Sequence, residues 1–130
     1  MTTDDAAIQR FFERYGEALS AGDLPAIARC WEMPALFLSD QGARPVSSFA
    51  EVEALFATAV EWSHHMGLMS TRPEIERIER LGLRLVSVDL RWPAFDAKGA
   101  ERSSERSRHV LSLAADGEPR IRVAITRAEG

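Results

Sequence analysis

The sequence predicts an α+β fold, with three N-terminal helices packed on one side of a mostly antiparallel sheet. Three observations lead there. Apolar residues keep a helical period up to about Val60. From about residue 70 the period becomes two and stays so to the C-terminus. Tight-turn pairs such as Asp116-Gly117 separate the later strands, which makes them a meander. With 130 residues and no linker, repeat or low-complexity stretch, the chain reads as a single domain, 1–130.

The first helix starts at Asp4 or Asp5 and runs to about Ser20, with Ile8, Phe11, Phe12, Tyr15 and Leu19 as its apolar stripe. Gly22 suits a left-handed helix end, and Asp23 caps a short second helix with Pro25 in its first turn. Leu24, Ile27, Ala28 and Trp31 form its buried side, and Pro34 is expected to end it. Ala35 to Ser39 reads as a strand, Asp40 to Gly42 as its turn, and Arg44 to Val46 as a short return. Ser48 and Glu51 make a capping box for a third helix that ends near Trp62, with Ser63 to Gly67 as its exit.

Pro73 to Leu81 is a strand whose Ile75, Ile78 and Leu81 break strict parity, which points to a bulge. Leu83 to Asp96 alternates Val86, Val88, Leu90 and Trp92 against Leu85, Ser87, Asp89 and Arg91. Asp96 to Gly99 turns the chain into the strand Ala100 to Ala114. A last strand, Pro119 to Arg127, places Ile121, Val123 and Ile125 on one face.

Composition narrows the function. A net charge of −4 with no dense basic cluster excludes a nucleic-acid partner. Cys30 is the only cysteine, so neither an intrachain disulfide nor a cysteine-based metal cage forms. No apolar run reaches membrane-spanning length, and the N-terminus is acidic where a secretory signal is basic. A cytoplasmic protein is expected. The adjacent pair His64-His65 lacks a metal-ligand spacing, so no metal and no cofactor are expected.

The run Arg14-Tyr15, Ala18-Leu19, Ala21-Gly22-Asp23-Leu24 and Ile27, followed by Trp31, carries a family likeness. Gly42, the segment Val52 to Phe56, and the Asp116-Gly117 hairpin with Ile121 extend it over nearly the whole chain. The sequence resembles the nuclear transport factor 2-like superfamily, which includes ketosteroid isomerases, scytalone dehydratases and SnoaL-like polyketide cyclases. The resemblance implies a cystatin-like cone: a strongly curved sheet, an apolar cavity under the helices, and a homodimer formed through the open sheet face. It says little about chemistry, because this fold hosts enzymes and non-enzymes alike. Against the ketosteroid isomerases, Tyr15 sits where the enolate-binding tyrosine lies, and Ser39 where the general base does. The region of the second oxyanion donor reads Glu105 to His109. On this reading the chain keeps the tyrosine and loses both carboxylates, so a steroid isomerase is not expected.

Tyr15 is the first site candidate, as a directed phenol donor or as the polar end of a core stripe. His109, in phase with Leu111 and Leu113, is either an acid–base group or a structural imidazole. Asp40 is the nearest carboxylate to the base position, although strand alternation turns it away. Trp31, Phe37, Phe56, Trp62, His65 and Trp92 are the expected pocket residues for a small apolar or aromatic ligand. Asp89 is expected to face outward, as are Arg106, Arg108, Arg120 and Arg122, because burying four guanidinium groups is too costly. Three functions remain: a small-molecule-binding protein, a cofactor-independent isomerase, dehydratase or cyclase using Tyr15 with His109 or Asp40, or a dimerisation module with a filled cavity.

Overall fold

The structure, a computed structural model, describes residues 3–127. Helix α1 (Asp5–Ala21) begins where the Asp4 carboxylate accepts the Ala7 N–H at 2.8 Å and ends on Gly22, whose φ of 67° gives the left-handed cap. The Asp23 carboxylate then caps α2 (Leu24–Arg29) by accepting the Ala26 N–H. The Ser48 hydroxyl caps α3 (Phe49–His65), while the Glu51 carboxylate reaches back to the Ser47 N–H.

Seven strands form one curved sheet: β1 (Trp31–Ser39), β2 (Gly42–Val46), β3 (Ser70–Thr71), β4 (Glu74–Arg80), β5 (Leu85–Phe95), β6 (Glu101–Leu113) and β7 (Pro119–Arg127). The order is β2-β1-β7-β6-β5-β3, with β4 also on β5. Every pairing is antiparallel except β1 with β7. The helices cover one face. Ile8, Phe11, Phe12 and Tyr15 of α1, Ile27 of α2 and Val52 of α3 are buried against Val86, Val88, Leu90, Leu111 and Ile121 of the sheet.

The structure corrects three sequence expectations. Trp31 and Pro34 belong to β1 and not to α2. The helix stops at Arg29 because the Ile121 N–H takes the Cys30 carbonyl at 2.8 Å, which starts the parallel ladder. Helix α3 runs three residues beyond Trp62, so His64 and His65 are helical. Strand β7 bulges at Arg122: Ile121 pairs with Leu111, but Val123 pairs with Val110. The extra residue reverses parity, so Ala124 and not Val123 or Ile125 joins Ile121 on the helix-covered face. The bulge expected in the strand after Pro73 is present, between Ile75 and Arg77 of β4.

The opposite face of the sheet carries the charges. Asp89 accepts Arg108 at 2.7 Å and lies near Arg127, and these contacts hold its carboxyl below the usual range, the Arg108 hydrogen bond first. Arg106 pairs with Glu76, Arg122 with Glu32 and Arg120 with Glu118. The outward placement expected for the arginines and Asp89 is therefore what the fold adopts, with Arg91 bonded to Glu74 and Glu101 and not to Asp89.

Helix α1 is fixed at its C-terminal end, where the Ser20 hydroxyl and the Thr71 backbone exchange hydrogen bonds of 3.1 and 3.0 Å. One turn earlier, a Cβ on Gly16 would lie 2.8 Å from Cδ of Pro73. The proline ring is rigid and cannot swing aside. Gly16→Ala is therefore expected to lower the thermal midpoint by the equivalent of about 1–3 kcal/mol, despite the roughly 1 kcal/mol helix-propensity gain. An unchanged or raised midpoint would show that α1 can lift from the sheet.

Candidate functional site

The curvature of the sheet leaves a cavity of about 360 Å³ between α1, α3 and the covered face. Cross-strand partners share a face, so Trp92 opposite Glu105, Leu90 opposite Ser107 and Val88 opposite His109 all project toward it. From α1 come Tyr15, Leu19 and Ser20; from α3 come Phe56, Ala59, Val60, Ser63 and His64, spaced three and four apart. Trp31 and Phe37 of β1 form the far wall, stacked at 4.6 Å between ring centroids.

Tyr15 is 2% exposed, and its ring lies 5.9 Å from that of Trp92 and 6.2 Å from that of His109. Burial pushes its phenol well above the ordinary range, so it stays protonated and acts as a donor. The indole N–H of Trp31 favours the phenolate, an effect second to burial, yet it makes no hydrogen bond. Trp31 Nε1 is the one sealed side-chain polar atom without a partner among the described residues. Tyr15 and His109 both line the cavity.

A polar chain runs along the sheet wall. Trp92 Nε1–H donates to Ser107 Oγ at 2.8 Å, and Ser107 Oγ lies 3.1 Å from His109 Nδ1. Indole can only donate, so Ser107 has its own proton left to give. His109 Nδ1 is its one acceptor among the described residues. If Nδ1 were protonated instead, the buried Ser107 proton would go unpaired, at about 1–3 kcal/mol. The arrangement assigns a bare Nδ1 and a proton on Nε2. Burial pushes the His109 pKa down to about 4, so the ring is neutral at physiological pH. Tyr15 and His109 thus present two uncharged donors, O–H and N–H, to the same cavity.

Of the residues singled out from sequence, Tyr15, His109, Trp31, Phe37, Phe56 and Trp92 come together here. Asp40 does not: it lies in the exposed turn between β1 and β2, because alternation sends Phe37 inward and the chain turns before another inward carboxylate can follow. Trp62 and His65 do not line the cavity either. Trp62 is 63% exposed and stacks loosely on His65, because the longer helix carries Ser63 and His64 to the inner face. Among the polar lining residues not assigned to the cavity from sequence are Glu105 and Ser107. Their signal was present: both share parity with His109 on one strand. A carboxylate does line the cavity, that of Glu105 at the exposed rim. Among the described residues no group of three or more His, Cys, Asp or Glu could hold a metal ion. Nor is any helix of the described residues long and apolar enough to cross a membrane.

The fold and this helix-covered hollow define a class, the cystatin-like, nuclear transport factor 2-like proteins. The chain belongs to one family within it, described as NTF2-like protein (DUF6841), whose model matches residues 4–129. No curated protein matches the sequence. Solved structures with the same fold include a domain of unknown function with a cystatin-like fold from Nostoc punctiforme PCC 73102. It has a TM-score of 0.78 and 16% identity, over 100% of this chain and 80% of that one. An NTF-2 like protein of unknown function from Shewanella oneidensis MR-1 gives 0.74 and 17%, over 93% and 96%. A ketosteroid isomerase-like protein from Erwinia carotovora atroseptica SCRI1043 gives 0.69 and 15%, over 93% and 92%. At such identities the likeness carries the fold alone.

The neutral state of His109 has a measurable consequence. Its pKa is lower folded, about 4, than the 6.5 expected unfolded, so the unfolded chain binds the extra proton between those values. Stability is therefore expected to fall by about 3 kcal/mol as the pH drops through that window. Denaturant titrations of wild type and His109→Gln across it test this. Equal pH slopes for the two would show that His109 is not held neutral.

Proposed function

We propose that the protein binds a small, flat, largely apolar molecule through a hydrogen-bond-accepting oxygen. The observation that carries this reading is the pairing of two uncharged donors, Tyr15 O–H and His109 Nε2–H, in a cavity walled by Trp31, Phe37, Phe56 and Trp92. Aromatic walls favour planar ligands, and buried neutral donors reward an acceptor that satisfies them. A dimerisation module needs a cavity filled by its own side chains, and about 360 Å³ stands open.

A second reading, a cofactor-independent enzyme acting beside a carbonyl, is favoured by one observation: Glu105 lines the cavity that holds both donors. In it, Tyr15 and His109 would stabilise the enolate oxygen and the carboxylate would take the proton. His109 is a poor base here, because its cavity-facing nitrogen already carries a proton.

Tetralone, a neutral two-ring ketone, probes both readings. Calorimetric titration is expected to show binding that Tyr15→Phe weakens about fivefold. Binding indifferent to that substitution would remove Tyr15 from the site. Deuterium uptake beside the carbonyl, measured in the same samples, would raise the enzyme reading above the binding one; no uptake leaves binding alone.

For the sheet face away from the helices we propose a second copy of the chain as partner. Leu36, Leu38, Val110 and Val123 form a half-exposed apolar strip there, flanked by paired arginines and carboxylates. Sedimentation is expected to give a dimer that Val110→Asp dissociates. A wild-type monomer at micromolar concentration would dismiss it.

A further inference from the structure

The β1–β2 hairpin forms a second hollow beside the cavity. A hollow of about 530 Å³ lies between this hairpin and α3 and shares Phe37, Phe56, Ala59 and Thr126 with the inner cavity. The two are therefore neighbours, with the touching Phe37 and Phe56 rings (centroids 6.0 Å apart) between them. Phe37 and Arg44 are cross-strand partners, so they leave the hairpin on the same side. Arg44 is the one charged residue lining the outer hollow. No ion pair holds it among the described residues, whereas Arg106, Arg108, Arg120 and Arg122 are all paired. Beside it, Ser39 Oγ accepts the Gln41 N–H at 3.2 Å, which leaves the Ser39 hydroxyl proton for an incoming oxygen.

Charge is thus distributed along the combined space. The inner end offers buried neutral donors and disfavours the charged form of a group placed there. The outer end offers an uncommitted guanidinium, which suits a carboxylate in bidentate geometry. The Phe37 and Phe56 rings stand between the two ends, and a ligand reaching both would lie against them.

We propose that the site takes an elongated aromatic acid, its acceptor oxygen at Tyr15 and His109 and its carboxylate at Arg44. This rests on the cavity being a ligand site and adds the ligand's class and direction. Arg44 is exposed, so solvent weakens the ion pair, and its effect on affinity is about fivefold.

The test uses a naphthalene bearing a hydroxyl and a carboxyl at opposite ends, together with its methyl ester. Both are titrated by fluorescence near neutral pH. The acid is expected to bind about fivefold tighter than the ester, and high salt should erase that advantage. Arg44→Gln should bring the ratio close to one, while Arg102→Gln, on the distant β5–β6 hairpin, should keep it. If the ester binds wild type and the acid has no advantage, or Arg44→Gln leaves the advantage intact, the carboxylate subsite is wrong while the cavity reading stands. If neither compound binds, both readings fall together.

Discussion

Phe12 and Tyr15 lie about one turn apart on α1 and press against the inward residues of β5 and β6. The ring of Phe12 meets Trp92 at 6.3 Å and His109 at 5.5 Å, and Tyr15 meets the same two edge-on. Aromatic edges packed in this way fix distance and angle more tightly than aliphatic contacts do. The contact sets how far α1 stands from the sheet, and so how much space remains toward α3. Gly16 lets the helix come this close to Pro73, and Ser20 bonds it to Thr71 at the end nearest the cavity. The hollow is therefore what a curved sheet leaves when a helix is held firmly at one side of it.

Burying Trp92, Ser107 and His109 against phenyl rings is tolerable because the three satisfy one another in sequence. The same chain decides the chemistry. Because Ser107 uses up Nδ1, the imidazole shows the cavity a donor and not a lone pair. Burial acts on Tyr15 and His109 in opposite directions on the pKa scale and with one result, since each loses its charged form. A pocket of neutral donors tolerates an uncharged acceptor in depth and leaves anions to the rim, where Arg44 stands.

How much of this the residues disclosed depends on how local each cause is. The caps at Asp4, Asp23 and Ser48 and the apolar stripe of α1 act within a turn or two, and they were readable. Parity along β6 also acts locally, and it placed His109 inward, while Glu105 and Ser107 were not assigned to the cavity. The end of α2 was not readable, because Cys30 gives its carbonyl to Ile121 from the far end of the chain. Nor was the facing of Val123 and Ile125, which a bulge at Arg122 reverses through pairing with β6 and β1. Trp62 and His65 were misplaced for a simpler reason, since three further helical residues rotate the inner face onto Ser63 and His64.

Register couples stability to the site. On β5 and β6 the residues alternate between two electrostatic regimes separated by one sheet thickness. Val88, Leu90 and Trp92 face the helices, while Ser87, Asp89 and Arg91 face away, and Arg106 and Arg108 alternate with Ser107 and His109. A slip of one residue in β5 would carry Asp89 under α1 without its partner, and one in β6 would carry Arg108 there and turn Ser107 and His109 outward. Burying either ion without its partner would cost several kcal/mol. The ion pairs on the outer face contribute little individually where they are exposed. Their larger effect is to make every wrong register expensive, which keeps Ser107 beside His109 and both beneath Tyr15.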